Sequence, residues 1–376
     1  MAYQYDEHNK QLFFLVYDGI HNSVFESQVV MPLLEQLERS KNLEITLVCF
    51  EKKIPDEKTI TSKIPSHNRL HVMFCRRWSF LGKYSFYPAV RGLTKILLAY
   101  RCHAITARGP LAGFVAFQTL AAIARKHPDR LRKDAQDPMP TLTVQARGLC
   151  AEEYRYANMR GLSRGLTYVI KKKIYTSLAT LEWEVYRNKR KTDYPAHVMI
   201  EAVSPALKQY LVDHFRADES KIIIAVNDIP PQVSVDQVAT WREQARSELA
   251  IPSDAVVYCY SGSFKVWQCA QQTVAAFVYE YEKNAHACML ILTQDKKPFE
   301  AELAKYTIPH SAYRILTVAP SDLYFYLSAG DYGMLLRESD VINWVSRPTK
   351  MLEYKAVGLK IIHNNTIAWL VQRSSI

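Results

Sequence analysis

Apolar positions along this chain recur in two patterns that alternate. Short runs rich in β-branched and aliphatic residues read as strands at Leu12–Tyr17, Ile45–Cys49, Leu70–Phe74, His103–Thr106, Thr141–Gln145, Val198–Val203 and Ile222–Val226. Longer stretches with helical spacing separate several of them, at Glu26–Arg39, Leu111–Lys126, Arg164–Arg190 and Pro205–His214. A second series follows, with strands at Val256–Tyr260, Met289–Thr293, Tyr313–Val318, Tyr332–Leu336 and Lys360–His363. Its helices are expected at Trp267–Glu282, Pro298–Ala304, Ser321–Ser328 and Thr349–Val357. Continuous apolar runs of four to six residues joined by long crossovers predict parallel sheets covered on both faces. Two such series predict an α/β protein of two doubly wound, Rossmann-like domains. The break is expected at Asn227–Val235, which holds Pro230 and Pro231 and has no helical period, giving domains 1–228 and 229–376. Doubly wound sheets bind ligands at the carboxyl ends of their strands, so an interdomain cleft lined by the residues after each strand is the expected site.

Charge sharpens the division. The 376 residues carry a formal net charge of +11. Residues 1–200 hold 31 Lys and Arg against 18 Asp and Glu, whereas residues 201–376 hold 17 against 19. The basic half contains the helix Arg164–Arg190, with an apolar row at Leu166, Ile170, Ile174, Leu178, Leu181 and Val185, and basic groups at Lys171–Lys173 and Arg187–Lys191. Such a helix is either packed in the core with a solvated basic face or placed on an anionic membrane surface. No nucleic-acid-binding module accompanies the charge, so a nucleic-acid partner is not expected. Seven scattered cysteines without a C-x-x-C pair read as buried thiols. With a polar N-terminus and no apolar run of about 20 residues, the expected location is cytoplasmic, on the inner membrane face if peripheral. There is no phosphate loop, no G-x-G-x-x-G, no H-E-x-x-H, and no convincing metal-ligand spacing among the 11 histidines.

The stretch Tyr332–Ile362 carries the most chemistry. A strand ends at Arg337, and after a loop a helix opens at about Pro348, with Lys350 and Glu353 three apart on one face. A helix start with two cations nearby suits a diphosphate, and one carboxylate suits ribose hydroxyls. The same spacing also fits an ordinary strand–loop–helix with surface charges.

Here the sequence resembles nucleotide-sugar-dependent glycosyltransferases of the GT-B fold, close to the large retaining family four. The matching segments are V-A-P-S-D-L-Y-F-Y-L-S-A-G-D-Y-G-M-L-L-R (318–337), P-T-K-M-L-E-Y-K-A-V-G (348–358), Y-S-G-S-F-K-V-W-Q (260–268), A-R-G-P (107–110), A-R-G-L-C-A-E-E (146–153) and A-V-S-P-A-L (202–207). The resemblance implies a donor site of Gly262, Ser263, Lys265, Arg337, Pro348, Lys350, Glu353 and Tyr354. Within it, Arg337, Lys350 and Glu353 are the expected catalytic residues, Glu353 holding the ribose and the two cations the diphosphate. It implies an acceptor side at Gly19, Arg108, Arg147 and Glu153. The sequence departs from the family in places. Two glutamates separated by seven intervening residues are usual there, and the first falls on Val345; the customary first-loop cation falls near Trp267; Gln145 and Thr106 replace an aspartate and a histidine.

The implied reaction moves a sugar from a UDP- or GDP-sugar, used as substrate with no further cofactor, to a glycan or lipid-linked acceptor. Charge grows on the leaving phosphate, so fixed cations and N–H groups would stabilise the transition state. No D-x-D motif is present, which favours metal-independent transfer, with retention implied by the family. A nucleotide-sugar epimerase and a non-catalytic nucleotide or sugar binder are the competing readings.

Overall fold

A computed structural model describes residues 10–22, 25–80, 82–127, 140–187, 198–226 and 232–371. The chain divides into two compact units, Met1–Asp228 and Ile229–Ile376. Of the expected interdomain segment, residues 227–231 lie outside the described residues, as do 128–139 of the polar stretch Lys126–Pro140 and 188–191 of the basic run.

The first unit holds seven strands: β1 (Lys10–Val16), β2 (Leu43–Glu51), β3 (Leu70–Arg76), β4 (Ala104–Arg108), β5 (Thr141–Ala146), β6 (Val198–Ala202) and β7 (Ile222–Ile224). They form one sheet in the order β3-β2-β1-β4-β5-β6-β7, and every pairing is parallel. Successive strand residues point to opposite faces, so the unbroken burial of Phe13–Val16 and Glu44–Glu51 means both faces are covered. The second unit holds β8 (Val256–Ser261), β9 (Ala287–Leu292), β10 (Tyr313–Leu316), β11 (Tyr332–Leu335) and β12 (Lys360–His363), all parallel, in the order β10-β9-β8-β11-β12. All six residues of β9 are buried. Its core packs Val257, Cys259, Leu290 and Leu335 of the sheet against Met351, Leu352 and Tyr354 of the helix Thr349–Ala356.

Strand order reverses at β1/β4 in the first unit and at β8/β11 in the second. These are the switch points at which flanking crossovers part and leave room for a ligand.

Six helices are absent from the sequence-based expectation: Glu57–Lys63, Tyr87–Ala99, Cys150–Met159, Val235–Glu248, Val341–Trp344 and Ala368–Val371. None of them buries more than two residues, so each offers only a short apolar row to the core. Val235–Glu248 is started instead by Ser234, whose hydroxyl accepts the Gln237 N–H at 3.2 Å. The irregular segment expected to reach Val235 therefore ends one residue earlier. Pro348 stands at the N-cap of Thr349–Ala356, just before the first helical residue rather than in it.

Candidate functional site

The β8/β11 switch point gathers four charged or polar groups on a tyrosine platform. β8 ends at Ser261, and Gly262 turns the chain with φ +129°. A Cβ built on Gly262 would stand 2.6 Å from Lys350 Cε and 2.9 Å from its Nζ, so a side chain there would displace the lysine ammonium. Lys350 comes from the first turn of Thr349–Ala356, which has no side-chain cap. Its ammonium lies 3.7 Å from the centre of the buried Tyr260 ring, a cation–π contact. Arg337 follows β11 and is held by its backbone: Asn364 Oδ1 accepts its N–H at 3.2 Å, and Asn364 Nδ2 donates to its carbonyl at 2.7 Å.

Lys350 and Arg337 are each only 7% exposed. Neither side chain makes an ion pair or hydrogen bond among the described residues, and Arg337 Nε is buried without an acceptor. Burial, reinforced by the Arg337 charge, holds Lys350 well below the usual lysine range, and Glu353 opposes the shift. Burial likewise lowers Arg337. Glu353 is raised by burial and held back by Lys350 and by Ser261, whose hydroxyl donates to Glu353 Oε2 at 3.5 Å. Two buried cations facing one carboxylate leave an excess positive charge, an arrangement that a bound anion would relieve.

Not every residue expected here is part of this cluster. Tyr354 lies beneath it: its hydroxyl accepts the Ser261 N–H at 3.0 Å and donates to the Met334 carbonyl at 3.4 Å, which ties β8 to β11. The ring is seated where any side chain on Gly333 would stand. Ser263 joins through its carbonyl, which accepts from Tyr260 Oη at 2.8 Å. Lys265 is exposed and extends over the Trp267 ring at 5.2 Å. Pro348 is buried at the helix entrance. Sequence reasoning missed Tyr260 and Asn364. Val345, at the position of the family's first glutamate, is buried and apolar, closing the short helix Val341–Trp344.

In the first unit a cavity of about 130 Å³ opens beside the β1/β4 switch point. Arg108, Arg147 and Glu153 line it together with Asp18, Gly148 and Cys150, none of which was singled out beforehand. Arg108 donates to the Gln28 side-chain oxygen at 2.6 Å. Glu153 is accessible along the cavity wall yet surrounded by protein; desolvation and the neighbouring Asp18 raise its carboxyl to about 7. Asp18 is raised by desolvation, with Arg108 and Arg77 opposing. Below them Glu182, also raised to about 7 by burial, accepts the N–H groups of Cys150 at 2.6 Å and Ala151 at 3.1 Å. Gly19 does not line this cavity: its positive φ lets the loop close over Glu51, which accepts the Ile20 N–H at 2.6 Å. Glu152, the partner of Glu153 in sequence, is taken up by Arg155 at 2.6 Å and the Tyr175 hydroxyl at 2.8 Å. Among the described residues no group of three or more His, Cys, Asp or Glu is arranged to hold a metal ion.

No family model matches the chain, and no curated protein sequence matches it significantly. Solved structures do. Sucrose-phosphate synthase from Thermosynechococcus elongatus superposes with a TM-score of 0.64 at 12% identity, covering 98% of this chain and 84% of that one. WaaG, a glycosyltransferase involved in lipopolysaccharide biosynthesis, gives 0.59 at 12% identity, with 97% and 84% covered. A glycosyltransferase from Rickettsia africae gives 0.57 at 12% identity, with 96% and 80% covered. At such identity the likeness establishes architecture: two Rossmann-like domains of the GT-B fold, shared with glycosyltransferases.

Proposed function

We propose that this protein is a glycosyltransferase that takes a hexosyl group from a nucleoside-diphosphate sugar. The observation that carries the reading is the pair Arg337 and Lys350, buried at the switch point of the second unit with no ion pair among the described residues and the single carboxylate of Glu353 nearby. Buried cations of this kind are destabilising unless a ligand completes them, and the charge they lack is that of a diphosphate. Glu353, three residues from Lys350 and half-buried, accepts hydrogen bonds from the donor ribose. As the glycosyl bond lengthens, its electron pair passes to the leaving phosphate, where Arg337, Lys350 and the uncapped first turn of Thr349–Ala356 meet the growing charge.

In a retaining reaction the acceptor hydroxyl attacks on the face from which the phosphate departs, and its proton goes to that phosphate. The acceptor is a glycan or lipid-linked sugar, and its polar groups meet Arg108, Arg147 and Glu153. A second reading, a nucleotide-sugar binder without turnover, is supported by the buried apolar Val345.

Calorimetric titration with UDP and GDP, beside nucleotide release from the matching sugars, separates these readings. Glu353→Gln is expected to weaken the preferred nucleotide about ten- to a hundredfold, the loss of one hydrogen bond to a charged group. Unchanged affinity in a folded Glu353→Gln protein would put the nucleotide elsewhere. Tight binding with no release in the presence of any sugar acceptor would favour the binder.

A further inference from the structure

The helix Leu166–Arg187 changes role halfway along. Its second half is core: Leu178, Leu181, Glu182, Val185 and Tyr186 are buried. Its first half presents Leu166, Val169 and Ile170 to solvent at 77%, 60% and 53% exposure, on one face at i, i+3 and i+4 spacing. Lys173 extends the same face by one turn, and Lys172 flanks it. The 3-10 turn Lys83–Phe86 comes alongside and adds Tyr84, 79% exposed, and the neighbouring Tyr87, 63% exposed. Between the two elements runs a groove of about 570 Å³, floored by Phe114 and Leu181 and rimmed by Lys83, Lys172 and Lys173, with Glu184 at its far end. None of the three lysines has an acidic partner among the described residues; Lys83 and Lys172 rest on the rings of Tyr84 and Tyr168 instead. Lys171, expected from sequence to act with its neighbours, is withdrawn: its ammonium donates to the Asn158 carbonyl at 2.8 Å.

We propose that this face docks on an anionic lipid bilayer, with one acyl chain or its upper segment entering the groove and the lipid phosphates meeting Lys83, Lys172 and Lys173. The apolar residues stand outside the core while their helix is anchored in it, so they are presented at no loss of folding. Tyrosines at the margin combine an apolar ring with a polar tip, as suits the interfacial zone. Three unpaired lysines complement anionic headgroups, and the groove volume falls within the roughly 300–1,000 Å³ of sites that hold small ligands. A protein partner would need complementary acidic side chains and would not need an apolar groove between the lysines. This inference is independent of the donor site.

The test is co-sedimentation with vesicles of phosphatidylglycerol and phosphatidylcholine against pure phosphatidylcholine. Binding should require the anionic lipid and weaken steeply between about 0.1 and 0.5 M salt. Lys83→Ala/Lys172→Ala/Lys173→Ala should lower partitioning by about two orders of magnitude, since each lysine near such a surface changes it about fivefold. Leu166→Ser/Ile170→Ser, and Thr176→Trp at the exposed groove wall, should each weaken retention several-fold with the lysines intact. All these positions are exposed, so folding and nucleotide affinity should be unchanged, and both are measured in parallel. Equal binding to both vesicle types, no binding to either, or full retention of the triple lysine variant would overturn the docking face. Retention unaffected by the serine pair and by Thr176→Trp would overturn chain insertion.

Discussion

The ammonium of Lys350 sits 3.7 Å from the ring centre of Tyr260, so a fully buried aromatic face is its principal polar contact. A desolvated cation–π contact contributes about 2 kcal/mol, less than the several kcal/mol needed to bury an ammonium without a counter-ion. The folded state therefore carries an electrostatic deficit at this position, and a ligand anion removes it. Lys350→Met should raise thermal stability, by about 1–3 kcal/mol, while abolishing measurable nucleotide binding. Denaturant titration read beside calorimetry checks both halves. A variant that lost stability and kept its affinity would contradict the assignment.

The same deficit has a pH signature. Lys350 titrates well below 10.5 in the folded protein and at the ordinary value once unfolded. Between those two values the unfolded chain binds the proton that the fold has shed, so stability should rise with pH across the window. Saturating UDP or GDP should flatten that rise by keeping the lysine charged. Urea titrations through the alkaline range, with wild type and Lys350→Met, would show the slope present in the first and absent in the second.

Gly262 is the other half of the arrangement. Its φ of +129° lies where a side chain is strained, and a Cβ would press against Lys350 Cε and Nζ. Gly262→Ala should cost about 1–3 kcal/mol and weaken nucleotide binding by displacing Lys350. Gly82, which also has positive φ but has nothing within 4 Å of a built Cβ, is the control: Gly82→Ala should lose some stability and no affinity.

Strand runs and strand ends were readable because short β-branched segments between turn signals match strands buried on both faces. Their ends brought Arg337, Lys350 and Glu353 under consideration together. What surrounds those side chains was not readable. Tyr260 looks like any core residue of a strand, and nothing local marks it as the platform for a lysine 90 positions away. Asn364 acts on the backbone of Arg337, which leaves no imprint on side-chain chemistry. Periodicity placed Leu166, Ile170, Leu178 and Val185 in one row but could not say that packing covers only its second half. The burial of Lys350 also ran against its residue type, because lysine is rarely enclosed unless paired.

Tyr354 separates support from contact. Removing its hydroxyl leaves the buried Ser261 N–H without an acceptor. Tyr354→Phe should therefore destabilise the second unit by about 1–3 kcal/mol. Nucleotide affinity at a temperature where the variant is folded should change by less than about threefold, because the hydroxyl faces the sheet. A loss as large as that expected for Glu353→Gln would place this hydroxyl on the ligand.

In the first unit, Glu153 and Glu182 each titrate at about 7 in the fold, against 4.5 in an ordinary carboxylate. Between pH 4.5 and 7 the folded state keeps protons that the unfolded chain has released. Stability linked to these groups is thus fully present below pH 4.5 and declines as pH rises toward 7. The two residues should respond differently to neutralisation. Glu153 receives no hydrogen bond among the described residues and borders the cavity, so Glu153→Gln should make the decline shallower without harming the fold at pH 5. Glu182 accepts two backbone N–H groups, so Glu182→Gln can satisfy only one of them and should lower stability at every pH. Because the acceptor proton passes to the leaving phosphate, Glu153→Gln should not abolish turnover above pH 7. Denaturant midpoints at pH 5, 6, 7 and 8 for the three proteins decide the first point. An unaltered slope in Glu153→Gln would show that its carboxyl is ionised throughout this range.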